Sequence, residues 1–413
     1  MTAVAVDVRS RIDGPRTRFD PARFFDDELP ARVDEYADAI VPALAFIRPR
    51  TLSLDVEGVA WTLTAEDGRV TISRGWNADA TARVKLPSAQ LADLADDQQT
   101  FMSLWASGAL DQEAGTVGHL LDWWLVLRAA LDGTPIYTPG SISLDDRDGR
   151  PLDLARAFRP DDDPAEMQHF LETAGFLHIE GLFDEAEMNA ISADMDRAEP
   201  NYSEGDGRSW WARTAEGDTR LVRMQGFDTE SSGARALLDD ARFLDLSALS
   251  GAGHERGTKR AHNRIEALFK PLGVTEGISD IPWHKDCGIG RHSYDCCGLT
   301  VGISVTGADA VSGQLWALAG SHRALVWSGI KQPDLDLPEV PLPTRAGDVT
   351  MHLSCTMHMA QPPVERERRV MYSGFALPAL ATADADAIRA ARARLGAVRE
   401  GAPLNVLDRH FKS

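Results

Sequence analysis

The chain is short of cysteine, of basic relative to acidic residues, and of long apolar runs, and each shortage removes a class of protein. Four cysteines in 413 residues, all in the second half, are too few and too clustered for a disulfide framework. The adjacent pair Cys296-Cys297 lacks the C-x-x-C spacing of a zinc site, so free buried thiols are expected. Lys and Arg number 43 against 63 Asp and Glu, a formal charge of -20. Polyanion binding draws its affinity mainly from Lys and Arg contacts, so nucleic acid and anionic lipid are not expected partners. No run of about 18 apolar residues occurs, so no membrane span is expected. Met1 to Asp20 mixes Arg and Asp without the apolar segment of a secretory signal, and a cytoplasmic protein is expected.

What remains is an ordinary globular composition, 43% hydrophobic and 26% charged, in a chain long enough for two cores. After an N-terminal leader (1–29), an α/β domain is expected over 30–133. Leu52-Ser53-Leu54-Asp55-Val56, Ala60-Trp61-Thr62-Leu63-Thr64 and Val70-Thr71-Ile72 alternate as an antiparallel meander with Glu66-Asp67-Gly68 as a turn. A strand follows from Ala80 to Leu86, closed by Pro87, and Ser88 is expected to cap a helix through Leu91 and Leu94. Helical spacing returns at Phe101, Leu104 and Trp105 and across Leu120 to Leu131. Residues 134–163 have the composition of a linker. A C-terminal tail, 379–413, is rich in Ala and Arg and reads as helical.

The order of elements in the first half resembles the sterol carrier protein type 2 family. Ala78-Asp79-Ala80-Thr81 and Phe101-Met102 through Gly108-Ala109-Leu110 stand for that family's motifs. The resemblance implies a hydrophobic tunnel for a lipid. The competing expectation is that Trp61, Trp105, Trp123 and Trp124 are ordinary core aromatics.

The second half carries chemistry. Ile281 to Asp286 is short and extended, so His284 and Asp286, two residues apart, project to one face while Lys285 projects to the other. A His-x-Asp pair plus one remote His is the ligand set of a non-haem iron(II) oxygenase, and His352 and His358 are both candidates for the third ligand. An arginine beyond that His suits an organic carboxylate, because its planar guanidinium is permanently charged. Lys270 and Thr300 on flanking strands are further candidate contacts to the same co-substrate. Trp210 and Trp211 lie between Gly205 and Gly257, a stretch expected to be a lid or a solvated insertion. They form, with Trp283, Cys287 and Cys355, the candidate substrate pocket. His322 is expected to be structural, and His254, His262 and His292 to be solvated or locally bonded.

From Pro164 to about Leu377 the chain resembles the phytanoyl-CoA dioxygenase family. The resemblance rests on Gly175-Phe176 before a helix capped by Asp184, on His284-x-Asp286, and on Ser312-Gly313-Gln314-Leu315 leading to Gly320-Ser321-His322-Arg323. Ser312 and Ala319 stand where that family usually has Asn and Pro. Gly347-Asp348 begins eleven residues before His358, and Arg369 lies eleven after it, the intervals common in the family. The resemblance therefore implies His358, not His352, as third ligand, and Arg369 as the 2-oxoglutarate anchor, with Arg368 as the alternative one register away.

It further implies a double-stranded β-helix (jelly-roll) catalytic domain over 164–378 with flanking helices. Its strands are expected at Gly298 to Val305, Gly313 to Leu318, Asp348 to His352 and Arg369 to Phe375. The whole chain is then an α+β two-domain protein. The implied activity is that of an Fe(II)- and 2-oxoglutarate-dependent dioxygenase using O2 to hydroxylate or otherwise oxidise a small, hydrophobic metabolite. Halogenation is disfavoured because Asp286 is present. The alternatives are a lipid carrier with an inactive jelly roll and a zinc site for other chemistry. A homo-oligomer is compatible with everything above.

Overall fold

The computed structural model describes residues 19–256, 265–277, 279–287, 290–294, 298–378, 380, 386 and 389. His262, Cys296, Cys297 and nearly all of the tail from Ala379 therefore lie outside the described residues. Among the described residues no helix is long and apolar enough to cross a membrane.

The first core begins earlier than the sequence suggests. Asp20 accepts from the Ala22 N–H (2.9 Å) and starts a helical stretch that runs, through a π turn at Phe24–Glu28, to Glu35. Phe24, Phe25 and Leu29, placed above in a leader, are buried, and the Phe25 ring stacks on Trp61 at 4.8 Å.

Five strands follow the helix Ala37–Phe46: β1 (Thr51–Val56), β2 (Val59–Glu66), β3 (Arg69–Arg74), β4 (Ala82–Leu86) and β5 (Asp111–Ala114). They form one sheet in the order β3-β2-β1-β4-β5, with β1 and β4 parallel and the other pairs antiparallel. Glu57-Gly58 and Asp67-Gly68 both have positive φ, the backbone that a two-residue hairpin turn demands. Ser88 does not cap its helix: the cap position belongs to Pro87, and Ser88 is the first helical residue. Thr100 caps Phe101–Ala106, and Thr116 caps Val117–Asp132. Trp61, Trp123 and Trp124 are among the largest fully buried side chains, as core aromatics should be.

Residues 134–163 hold no helix or strand beyond isolated bridges. The second core starts with the helix Pro164–Ala174, capped by Asp163 and stopped by Gly175 at φ +86. Next come β6 (Phe176–Ile179) and the helix Glu185–Ala198, whose Asp184 and Glu187 form a capping box.

Gly205 to Gly257 is neither lid nor insertion. It contains β7 (Ser209–Thr214), β8 (Thr219–Gln225) and the helices Ser232–Leu238 and Ala241–Asp245, whose Leu237, Leu238 and Phe243 join the second core. The remaining strands are β9 (Glu266–Lys270), β10 (Val274–Glu276), β11 (Gly298–Ser304), β12 (Leu315–Leu318), β13 (Glu339–Leu342), β14 (Val349–Leu353), β15 (His358–Ala360) and β16 (Arg368–Ala376).

Eight of these strands form an antiparallel sheet in the order β10-β7-β8-β9-β16-β11-β14-β6, and three form a second sheet, β13-β12-β15. The protein is thus mixed α/β with large antiparallel sheets, consistent with a jelly-roll domain. Strand alternation sorts the large sheet into two faces. Leu299, Val301 and Ile303 of β11 join the apolar core, while Gly302 and Ser304 line a cavity closed by Leu315 and Leu342 of the small sheet. Register carries this inner face across the neighbours, because Thr300 pairs with His352, Gly302 with Thr350 and Tyr372, and Arg368 with Lys270. A Cβ on Gly302 would come within 2.9 Å of Thr350 and Tyr372, so glycine keeps this cavity open.

Candidate metal centre

Two sequence-remote histidines meet through backbone. His284 and His358 form an isolated antiparallel bridge, each N–H donating to the other's carbonyl at 2.9 Å, and their ring centroids lie 4.3 Å apart. Asp286 comes round to the same point, and one ligand atom from each of the three residues lies within 4.8 Å of the others.

The two imidazoles are oriented for coordination. His284 Nδ1 is 2.7 Å from the Pro282 carbonyl and His358 Nδ1 is 2.9 Å from the Thr356 carbonyl. A carbonyl only accepts, so both Nδ1 atoms carry the hydrogen and both Nε2 lone pairs are free for a metal. Burial, with His358 close by, pushes the His284 pKa down to about 3, so that ring stays neutral. At His358 burial works downward, but the Asp286 charge outweighs it and the pKa is raised.

Asp286 divides its two oxygens. Oδ1 faces the ligand histidines, 3.8 Å from His284 Nε2 and 3.5 Å from His358 Nε2. Oδ2 accepts from Thr300 Oγ1 (2.9 Å) and from His352 Nε2 (3.0 Å). Although burial opposes its charge, these histidines hold the Asp286 carboxyl well below its usual pKa. Burial also lowers the His352 pKa, so its ring is neutral with Nε2 protonated; its bare Nδ1 is buried and has no partner among the described residues. His352 is therefore a hydrogen-bond donor to the carboxylate. Sequence spacing offers His352 only as a ligand candidate; its inward face follows from the register of β14 against β11, which local sequence does not show.

The two arginines part company. Arg369 faces the helix Glu185–Ala198, where Nη1 donates to the Ser192 carbonyl and hydroxyl (both 2.9 Å) and Nη2 pairs with Asp196 at 2.6 Å. The fold does not bring it to the cavity. Arg368 lines the cavity with Ser304, Thr344, Thr350 and Tyr372, and is 4% exposed. Its Nη1 donates to the Gly313 carbonyl at 2.8 Å, while its buried Nε has no acceptor among the described residues.

Lys270 pairs with Arg368 across the strands and is also inside; burial and the nearby Arg368 pull its pKa down to about 8, against the 2.6 Å ion pair with Asp280. Its Nζ donates to the carbonyls of Ser279 and Ala360, and Thr300 spends its hydroxyl on Asp286. Gly347-Asp348 is structural. Gly347 sits at φ +88 with Phe183 O only 2.0 Å from where a Cβ would be, and Asp348 accepts from the N–H groups of Gly181 and Arg345.

Of the candidate pocket residues, Trp210 pairs with Arg223, which pairs with Leu268 and so with the inner face; the Arg223 guanidinium lies 4.1 Å from the Trp210 ring centroid. Trp211 instead packs against the helix-side core. Trp283 packs beside Met357 and Leu335. Cys287 and Cys355 touch, sulfur to sulfur, at 3.3 Å. His322 is structural, bonded to the Glu172 carbonyl at 3.0 Å; His254 is buried and locally bonded, 2.8 Å from Ser250 Oγ, and His292 is buried and bonded to the distant Asp97 carbonyl.

No curated protein matches the chain. Among solved structures it is similar to AviO1 from Streptomyces viridochromogenes Tue57 (20% identity over 54% of this chain and 98% of that one, TM-score 0.40). It is also similar to EctD from S. alaskensis with bound Fe (16% identity, 55% and 82% covered, TM-score 0.42). A third is HygX from Streptomyces hygroscopicus with nickel and 2-oxoglutarate bound (18% identity, 51% and 86% covered, TM-score 0.38). Residues 171–370, the stretch that holds all three candidate ligands and Arg368, match the family model for phytanoyl-CoA dioxygenase (PhyH), a family of non-haem iron, 2-oxoglutarate-dependent oxygenases or related enzymes.

Proposed function

We propose that the protein is an iron(II)- and 2-oxoglutarate-dependent dioxygenase that hydroxylates an unactivated C–H bond of a small molecule, with His284 Nε2, Asp286 Oδ1 and His358 Nε2 as the metal ligands. The donor set fits: two imidazoles whose Nδ1 atoms are taken by carbonyls, which leaves Nε2 for a metal, and one carboxylate within reach of both. Iron(II) bound there with 2-oxoglutarate supplies the oxidising power, drawn from O2 and a decarboxylation to succinate, that a C–H bond needs.

The chain's own residues do the rest. Thr300 and His352 hold Asp286 Oδ2 so that Oδ1 is left for the metal. The observation that carries the co-substrate assignment is Arg368 Nε, a buried guanidinium N–H without an acceptor on the same inner face as His352. Leaving such a group unsatisfied costs about 1–3 kcal/mol, and the distal carboxylate of 2-oxoglutarate would offset it. Lys270 adds positive potential beside Arg368, moderated by Asp280. This replaces Arg369 by its neighbour as the anchor.

For the substrate, Trp210 with Arg223, and Glu266 ion-paired to Arg223 at 3.4 Å, give the inner face both an aromatic and a polar element. The order of strands and helices in 30–133 keeps a sterol-carrier-like part, and hence a hydrophobic substrate, within this proposal. The test is to incubate the iron-loaded protein with an extract of its host cells, with and without 2-oxoglutarate, and follow metabolites by mass spectrometry. A metabolite gaining one oxygen only when 2-oxoglutarate is present is the expected result. No oxidised product and no succinate, together with tight lipid binding by the full chain, would favour the carrier alternative.

A further inference from the structure

The segment that follows the His284-x-Asp286 pair is held by the first core, about 190 residues earlier in the chain. Ser293 is the contact point. Its N–H donates to both oxygens of Asp97 (3.0 Å each) and its hydroxyl donates to Asp97 Oδ1 at 2.8 Å while accepting from Trp124 Nε1 at 2.9 Å. Two further bonds flank it: His292 Nδ1 donates to the Asp97 carbonyl (2.8 Å), and Thr100 Oγ1 donates to the Gly290 carbonyl (2.6 Å).

The link from this contact to the metal ligands is Lys285. It sits between His284 and Asp286 and is 1% exposed. Its ammonium donates to the Ser293 carbonyl at 2.9 Å. Asp97 thus grips Ser293, Ser293 grips Lys285, and Lys285 fixes the backbone on which both ligands ride. Asp97 itself sits at φ +51, a left-handed conformation for a non-glycine residue. Such a conformation persists only where the surroundings over-determine it.

We propose that Asp97 and Ser293 are positioning residues for the metal centre, and that the first core serves as a clamp on the loop bearing His284 and Asp286. This rests on the metal reading of that pair and goes beyond it, since it gives the part of the chain outside the PhyH match a role in building the site. A loop cut loose from Asp97 keeps its three ligands but must be ordered when metal binds, so affinity falls by the free energy of that ordering.

The test uses the full chain, made as wild type, Asp97→Asn, Ser293→Ala and Ser53→Ala. Asn tolerates the left-handed backbone but removes the carboxylate charge, and Ser293→Ala removes the hydroxyl that joins Asp97 to Trp124. Ser53 is a buried hydroxyl of the first sheet, 2.6 Å from Thr62 Oγ1, and serves as a control for general loss of stability. Fe(II) affinity is read anaerobically by competition with a chromogenic chelator, alongside Tm without metal. Affinity about 10-fold weaker or more is expected for Asp97→Asn and Ser293→Ala, with Ser53→Ala binding like wild type. Wild-type affinity in both Asp97→Asn and Ser293→Ala, or an equal loss in Ser53→Ala, overturns the clamp. A folded wild type that takes up no iron overturns the metal reading itself, and the clamp with it.

Discussion

His358→Ala should abolish turnover while leaving the protein folded. Alanine keeps the N–H and carbonyl that bridge to His284, so the backbone of the site survives. What disappears is one of three ligands, and the expected result is a loss of stoichiometric iron and a fall in succinate formation of about 10³-fold or more, ~4 kcal/mol. His352→Ala retains all three ligands and removes only one hydrogen bond to Asp286 Oδ2. Its iron affinity should fall by about 10- to 100-fold, the range for a lost outer partner of a ligand. Metal analysis after anaerobic loading, with Tm of the metal-free proteins as the folding check, measures both. Equal effects from the two variants would mean that His352 is a ligand.

Arg368→Ala and Arg369→Ala should have opposite signatures. Removing Arg368 takes away the buried guanidinium whose Nε points at no acceptor, and KM for 2-oxoglutarate should rise about 100-fold, ~2.7 kcal/mol. Removing Arg369 breaks two hydrogen bonds to Ser192 and an ion pair to Asp196, whose side chain is 61% exposed, all of them away from the cavity. Such pairs contribute about 0–1 kcal/mol, so Tm should shift slightly and KM not at all. Steady-state kinetics of succinate formation with 2-oxoglutarate varied decides the matter. A high KM in Arg369→Ala with a normal one in Arg368→Ala would restore the assignment made from spacing.

That pair also shows where sequence reading ends. His284 and Asp286 were legible as a His-x-Asp pair, although the expected extended segment is a bend and a turn around an isolated bridge rather than a strand, and that bridge brings in His358, the histidine the family resemblance implies. Arg368-Arg369-Val370-Met371 gives no phase. Val370 faces the cavity and Met371 the helix-side core, and both are apolar, so alternation is silent. A slip of one residue exchanges the faces, and only the pairing of Arg368 with Lys270 fixes it.

Between Gly205 and Gly257 the strand-like run Arg220 to Met224 does form β8 inside the large sheet, whereas the turns and charges around it gave no sign of β7 or of the two helices, where neighbours decide more than local propensity. The Asp97 to Ser293 contact had no local signature at all. It exists only once two cores are packed together.

The most direct test of the iron and 2-oxoglutarate assignment is an anaerobic titration of the purified full chain with iron(II) and then 2-oxoglutarate, followed by visible absorption. A weak charge-transfer band should appear in wild type and in Arg369→Ala, and be absent from His358→Ala. No band from folded, iron-loaded wild type, or a band that survives in His358→Ala, would contradict the account.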